Sequence, residues 1–326
     1  MTAPEYRVDV SVIVATRGRE KGCQRLAHAV AAQFAKAPHL SWDLLLVLDG
    51  CPVYGWVDAA DMPIKFHQLP ERLGIARARN AGISAAAGEL LAFLDDDCVP
   101  ADAWLTELQR LSRTYPDHVA FGGPVVGTDT DNLWSQLRAA VYYYETFGAW
   151  YVDQRAREDC LGAPYVNGGN SAYRRGPLVE AEGFDPVLPA YSDVELGRRL
   201  HLQDKAVLSP GMAILHDHPS TFRAYMQRCW RSGGARGLLW AHRRYPQDAP
   251  GAVARAVITN IVWNNAAHRR RRVNAPPFQV VGALLCQEVV HGLGYAFTTL
   301  TGTRRGGDAR GGVAAAACRG GPAGRP

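Results

Sequence analysis

The chain has 326 residues, 47% of them hydrophobic and 21% charged, with a net charge of +5. That is long enough to bury a full core, and the balance excludes disordered, fibrous and collagen-like classes. The positive charge sits near the C-terminal end: Arg269–Arg272, then a tail from Gly302 to Pro326 with five arginines against Asp308 alone. The body is therefore mildly acidic, and no interleaved aromatics or reading motif accompany the arginines, so no nucleic-acid partner is expected. Seven scattered cysteines, odd in number and without a C-x-x-C pair, point away from a disulfide framework or structural zinc and toward a reducing, cytoplasmic setting. No charged-then-apolar leader pattern opens the chain.

The first 130 residues alternate strand and helix signals. Val8–Ala15 is β-branched and apolar, Glu20–Lys36 carries apolar residues at helical spacing, and Trp42–Leu48 reads as a second buried strand. Ile64–Leu69 is a third strand, Gly74–Ala87 an alanine-rich helix and Glu89–Leu94 a fourth strand; a helix over Ala101–Tyr115 and a strand over His118–Phe121 follow. Strands separated by helices of this length make βαβ units and a mostly parallel sheet. Further on, Asn132–Trp150 is expected to be an aromatic-rich helix, Asp193–Leu202 a short helix, Ala206–Leu208 and Ala213–Leu215 short strands, and Thr221–Arg243 a long helix. Helices near Ala252–Arg271 and Phe278–Leu300 form an appendage, and the Gly-, Ala- and Arg-rich end is expected to be disordered. The segment Phe278–Leu300 is interrupted by Gln279, Gln287, Glu288 and His291; no run of about 18 to 20 apolar residues exists. It is expected to lie on a membrane surface, not to cross one.

Three aspartates, Asp95, Asp96 and Asp97, close the fourth strand. Ligands of open α/β sheets bind at the carboxyl ends of strands, and three adjacent carboxylates need a compensating cation. Mg²⁺ or Mn²⁺, which take carboxylate oxygens and share their sites with phosphates, meet that need. Asp49 ends the second strand, and Arg17, Arg72, Arg77 and Arg79 stand close by in sequence. Carboxylates for a metal beside arginines suit a nucleoside diphosphate. No G-x-G-x-x-G follows the first strand and no G-x-x-x-x-G-K-[ST] or G-x-S-x-G occurs, which removes the dinucleotide, P-loop and α/β-hydrolase readings.

The ordered series V-S-V-I-V-A-T-R, L-L-V-L-D-G, R-L-G-I-A-R-A-R-N-A-G-I and G-E-L-L-A-F-L-D-D-D resembles the family 2 glycosyltransferases of GT-A fold. Gly168–Arg175, Glu182-Gly183-Phe184-Asp185 and Ser192–Leu200 continue the match, which spans about residues 8 to 245. The resemblance implies an α/β, Rossmann-like mixed and mostly parallel sheet flanked by helices (residues 1–245), with a helical appendage (246–301) and a tail (302–326). It implies inverting transfer of one sugar from a nucleotide-sugar to an acceptor hydroxyl. Thr16, Asp49 and Arg72 would line the nucleoside pocket, with Arg79 and Asp96 beside them. Asp95 and Asp97 match the metal-binding D-x-D, and His216, in preference to His218, would complete the metal shell. Asp193 matches the general base. Ser192 stands where the family usually has glutamate, which leaves Glu195 as an alternative base. Asn170 and Arg174 lie in the segment that floors the acceptor side, and Arg223, Arg228, Arg231 and Arg236 are candidates to reach the diphosphate.

Inversion suits a base placed opposite the leaving group, and a divalent cation suits the charge that gathers on a departing diphosphate. Two other readings compete. A sugar nucleotidyltransferase would share the architecture but lacks its Gly-rich phosphate loop here, and a non-catalytic nucleotide-sugar-binding scaffold would not need Asp193. The acceptor stays open among cell-envelope glycan, lipid-linked saccharide, peptide and natural product.

Overall fold

A computed structural model describes residues 8–53, 55, 62–128, 131–138, 159–257, 261 and 275–302. The apolar run Val8–Thr16 forms β1, which pairs in parallel with β2 (Trp42–Asp49) on one side and β4 (Gly88–Leu94) on the other. β3 (Ile64–Leu69) extends the sheet beyond β2. The chain therefore leaves β1 in one direction and returns on its other side, and the reversal opens a crevice at the carboxyl ends of β1 and β4.

Side chains alternate across this sheet as its pleat requires. Val10, Val12, Val14, Leu44, Leu46 and Leu48 share one core with α1 (Glu20–Ala35) and α3 (Trp104–Thr114). Ile13, Leu45 and Val47 share the other with α2 (Ile75–Ala85), α4 (Arg175–Glu180) and α5 (Ser192–Arg199). Burial on both faces is what a continuous apolar run encodes.

The sheet becomes mixed beyond β4. β9 (Asn170–Arg174) lies antiparallel between β4 and β6 (Ala120–Gly122), and β10 (Ala206–Leu208) and β8 (Cys160–Leu161) complete the order β3-β2-β1-β4-β9-β6-β10-β8. A second sheet has β11 (Ile214–His216) at its centre, antiparallel to β5 (Cys98–Pro100) and parallel to β7 (Val125–Gly127). The two-residue β8 and the three-residue β5 and β7 are too short to show a periodicity in sequence, and β9 reads there as a glycine-led motif.

Two long helices close the described chain. α6 (Phe222–Arg243) begins at Thr221, whose hydroxyl accepts from the Ala224 amide at 3.3 Å, an N-cap. α7 (Pro277–Gly302) packs along it, and at the glycines of the crossing the two backbones meet directly. A methyl at Gly233 would stand 2.8 Å from the His291 carbonyl carbon, and one at Gly237 would stand 2.7 Å from the Tyr295 carbonyl oxygen. Only small residues permit so close a crossing.

The other side of α7 is apolar and exposed at Phe278, Leu285, Val289, Leu293, Phe297 and Leu300. Over Phe278–Thr301 the helix has a mean hydropathy of 1.4 and the length and composition of a membrane span. Gln287 and Glu288, which interrupt the apolar run, are buried against α6, where Tyr225 donates its hydroxyl to Gln287. They do not face the outside, so they do not lower the apolarity of the outer face. Residues 133–138, 250–257 and 261 are helical; residues 139–150, 258–260 and 262–271 of the expected helices, and the tail after residue 302, lie outside the described residues.

Candidate active site

At the carboxyl ends of β1, β2 and β4 a cavity of about 1010 Å³ opens. Thr16, Asp49, Arg72, Arg79, Asp95, Asp96, Asp97, Asp193 and His216 all border it. Pairing register explains the convergence. β11 runs antiparallel to β5 with His216 opposite Cys98, so the histidine lands beside the turn that carries Asp97. The Asp217 amide fixes that contact by donating to the Asp97 carbonyl at 3.0 Å. His216 Nε2 then lies 3.2 Å from Asp97 Oδ1 and 3.9 Å from Asp95 Oδ2. The ligand atoms of Asp95, Asp97 and His216 fall within 4.8 Å of one another, and two carboxylates with one imidazole are the donors a borderline divalent cation accepts. His218 does not border the cavity and lies outside that cluster; burial, then His216, Arg138 and Arg228, push its imidazole down to about 2.

The three aspartates divide their work. Asp95 receives Arg79 Nη2 at 2.9 Å; burial pushes its carboxyl up, but Arg79, His216 and Arg228 together hold it below its ordinary value. Asp96 turns toward α1 and β1, accepting from Thr16 Oγ1 at 2.6 Å and Arg19 Nη1 at 2.9 Å. Burial nevertheless leaves its carboxyl raised, with Thr16 and Arg19 only partly offsetting the cost. Asp97 also pairs with Arg19. Thus Asp96 borders the cavity with its oxygens already engaged, while Asp95 and Asp97 present theirs with His216.

Gly168 and Gly169 give the Arg79–Asp95 pair its room. A methyl at Gly168 would stand 2.5 Å from Arg79 Nη1, and one at Gly169 would stand 2.7 Å from Asp95 Cγ. The Gly168 amide in turn donates to Asp193 Oδ2 at 2.9 Å, which aims that carboxylate into the cavity from the first turn of α5. On the opposite side Asp49 accepts from the Leu73 amide at 2.6 Å and the Gly74 amide at 3.1 Å, closing the loop that carries Arg72 against β2.

Several expectations are corrected. Glu195 does not border the cavity: it is fully buried, with both oxygens 2.8 Å from Arg199 Nε and a further contact to Arg243. Two residues along a helix from Asp193, it points the opposite way. Asn170 is a cross-link, accepting from Trp104 Nε1 at 2.9 Å and donating to the Pro124 and Met212 carbonyls. Arg174 is turned outward to the His118 and Ser112 carbonyls. Arg77 and Arg223 do not border the cavity, and Arg236 is held by Asp248 at 3.0 Å. Arg228 and Arg231 do border it. Sequence reasoning passed over Arg19, Arg138 and Asn167, and no motif marks them.

Asp248 is a second buried junction. It is 2% exposed and receives Arg198 from α5 and Arg236 from α6, while its carbonyl accepts from the Tyr295 hydroxyl of α7 at 2.6 Å. The helix that carries Asp193 is thereby tied to both closing helices.

Comparison with known proteins agrees with this architecture. The chain is 28% identical over 260 residues to a pre-mycofactocin glycosyltransferase of Mycobacterium tuberculosis, covering 76% of this chain and 51% of that protein. It is 25% identical over 185 residues to a glucosyl-dolichyl phosphate glucuronosyltransferase of Haloferax volcanii, covering 54% of this chain and 56% of that one. The chain thus spans about half the length of the curated relatives it matches. Among solved structures, a mannosyltransferase of Pyrobaculum calidifontis in complex with GDP-Man and Mn²⁺ superposes with a TM-score of 0.58 at 19% identity, covering 91% of this chain and 88% of that one; the shared fold is GT-A. The pattern of "Glycosyl transferase family 2" matches residues 11–180, slightly more than half of the sequence, and the chain belongs to that family.

Proposed function

We propose that the protein transfers one sugar from a nucleoside-diphosphate sugar to an acceptor hydroxyl with inversion at the anomeric carbon. The observation that carries this reading is the convergence of Asp95, Asp97 and His216 on one wall of a cavity that Asp193 enters from another. Asp95, Asp97 and His216 would hold Mn²⁺ or Mg²⁺, an ion that offsets charge developing on a departing diphosphate. Arg79 helps hold the Asp95 carboxyl below its ordinary value, and Arg19 pairs with Asp97. Thr16, Asp49 and Arg72 border the end of the cavity assigned to the nucleoside, where Asp49 sets the Arg72 loop through backbone amides. Asp193 accepts the proton of the attacking hydroxyl; with the Gly168 amide on one oxygen, the carboxylate is oriented before the acceptor arrives.

The exposed apolar side of α7 supports peripheral attachment to a membrane from the cytoplasmic side. Arg269–Arg272 precede the helix in sequence and Arg304 and Arg305 follow it. An apolar stripe with arginines at both ends matches an anionic lipid surface: hydrocarbon under the stripe, headgroups at the flanks. The domain organisation proposed is a catalytic unit over residues 1–245 followed by this lipid-facing appendage.

A hydrolysis and thermal-shift screen of nucleotide-sugars, each with Mn²⁺ and with Mg²⁺, tests the transfer reading. One donor should stabilise the protein only with metal and be slowly hydrolysed; stabilisation by no donor would refute it. Flotation with phosphatidylglycerol vesicles tests the membrane reading. Wild type should float and Leu293→Glu should not, with neither floating on phosphatidylcholine; equal flotation of both proteins would refute it.

A further inference from the structure

The wall of the cavity that leads to Asp193 differs in chemistry from the rest. Residues 186–191 run up to the first turn of α5, and all six border the same space as Asp193. Their sequence, Pro-Val-Leu-Pro-Ala-Tyr, carries no charge and a single polar side-chain atom, the Tyr191 hydroxyl. The metal side and the nucleoside end are instead built from aspartates and arginines. Leu188 is buried and anchors the segment, whereas Val187 is 53% exposed. Apolar surface left open on a cavity wall is surface that a ligand covers.

The backbone of this segment is as poor in donors as its side chains. Pro186 and Pro189 have no N–H. The Val187 amide donates to Asp185 Oδ1 at 3.0 Å and the Leu188 amide to the Asp185 carbonyl at 3.2 Å. Ser192, next to Asp193, and Asn167, next to the glycine that holds it, are both buried, and Asn167 Oδ1 accepts from the Gly169 amide at 2.9 Å. A sugar laid on residues 186–191 would have hydroxyls desolvated without partners, a cost that a hydrocarbon or aromatic body does not meet. The segment is also shaped in advance. Asp185 receives Arg243 of α6 at 2.8 Å, and the prolines fix φ at two of six positions. Tyr191 holds a left-handed backbone (φ 60°, ψ 13°) while its carbonyl accepts from the Glu195 amide at 2.9 Å. Non-glycine residues in that conformation cluster at active sites and ligand clamps.

Building on the transfer reading above, we propose that residues 186–191 are the acceptor wall, and that the acceptor hydroxyl is carried on an apolar body, hydrocarbon or aromatic, and not on a sugar. The placement follows from Asp193. The hydroxyl it deprotonates lies within hydrogen-bond reach of it, so the atoms next to that hydroxyl meet the segment that delivers Asp193. In transfer the acceptor oxygen bonds to the anomeric carbon, its proton passes to Asp193, and the bond from that carbon to the diphosphate breaks. Val187, open on the wall, is the specificity residue.

The test titrates three ring-bearing alcohols, cyclohexylmethanol, benzyl alcohol and methyl glucoside, into the full chain with Mg²⁺. Binding is followed by saturation-transfer NMR, with and without UDP, GDP, ADP or dTDP. At least one of the first two should bind about tenfold tighter than methyl glucoside. A preference for benzyl alcohol assigns an aromatic acceptor, one for cyclohexylmethanol a hydrocarbon acceptor, and equal affinity a wall that takes both. Val187→Thr keeps the shape of the side chain and exchanges a methyl for a hydroxyl. It should weaken the favoured alcohol about fourfold, the weight of one buried CH₂, and leave methyl glucoside unchanged, while Val187→Ile keeps the preference. Leu293→Glu, on the outer side of α7, should not alter it. No preference for an apolar alcohol, whether all three bind or none does, would overturn the proposal. A preference that survives Val187→Thr, or is lost in Leu293→Glu, would do the same, since the alcohols would then sit elsewhere. So would an equal loss in Val187→Thr of affinity for the nucleotide-sugar that stabilises the wild type, because the wall would then face the donor sugar. Failure of every nucleotide-sugar to stabilise the protein would instead sink the transfer reading, and the alcohol titrations, which need no donor, would still decide the chemistry of the wall.

Discussion

Replacing Gly169 by alanine puts the proposed metal wall to a geometric test. The added methyl would stand 2.7 Å from Asp95 Cγ and nearer still to Asp95 Oδ2, and ordinary contact begins at 3.4 Å, so the carboxylate must retreat by more than 3.4 − 2.7 = 0.7 Å. Gly169 does not have a positive φ, so the backbone accepts alanine and the perturbation falls on the neighbour. Asp95 is not free to swing away, because Arg79 holds it at 2.9 Å and Phe184 lies against the guanidinium, 5.4 Å from its ring centroid. The retreat is therefore absorbed as a misplaced ligand. Disturbing what orients a metal ligand costs about 10- to 100-fold in affinity, and a displacement approaching 1 Å at a reacting centre costs about 100-fold in rate. Mn²⁺ titration followed by electron paramagnetic resonance reads the first, donor turnover the second, and circular dichroism checks that the fold is retained. A folded Gly169→Ala protein with Mn²⁺ affinity within about twofold of wild type would refute the assignment of Asp95 to the metal.

Three further outcomes follow from the same structure. Asp193→Asn keeps an oxygen for the Gly168 amide but cannot accept a proton; turnover should fall by about 10² to 10⁴ with donor affinity intact, and a smaller loss would remove Asp193 from the base role. Asp248→Ala strands Arg198 and Arg236 around a site that is 2% exposed; urea unfolding should show a loss of about 3–5 kcal/mol, and a loss below about 1 kcal/mol would refute the junction. His291 is pushed down to about 4 by burial and then by Arg236. Its unfolded form takes up a proton first, so its contribution is whole above the ordinary value of 6.5 and is lost as pH falls toward 4. The wild-type urea midpoint should therefore drop more than that of His291→Gln between about pH 7.5 and pH 4.5, and parallel drops would exclude the effect.

What could be read from sequence was whatever periodicity or abrupt charge records. β1, β2 and β4 are continuous apolar runs because both faces of the sheet are covered, and Asp49 and Asp95–Asp97 mark where each run meets the crevice. Finer assignments needed the helical phase. α2 buries Ala76, Arg79 and Ile83, a spacing that puts Arg79 inward and leaves Arg77 outside. The same two-residue offset separates Asp193 from Glu195, so a helical wheel distinguishes each pair. Arg228 and Arg231 share a face by the same logic, with Arg223 and Arg236 five residues to either side. Other features had no local signal. Asn170 looked like part of an acceptor site because its cross-link to Trp104, Pro124 and Met212 exists only once distant segments meet. The outer apolarity of α7 was hidden by polar residues whose burial depends on α6. Arg19 pairs with carboxylates more than seventy positions away.

The glycine seam between α6 and α7 has a mechanical side. Side-chain layers between helices usually absorb small shifts by changing rotamer, but at Gly233, Gly237 and Gly294 peptide groups touch peptide groups. The joint is stiff. α6 bears Arg228 and Arg231 on the cavity side and the seam on the other, and Asp248 fastens both closing helices to the helix of Asp193. Whatever seats itself on Leu285, Val289 and Leu293 thus pushes on a rod whose far side is the arginine wall, through a joint that at its glycines is backbone against backbone.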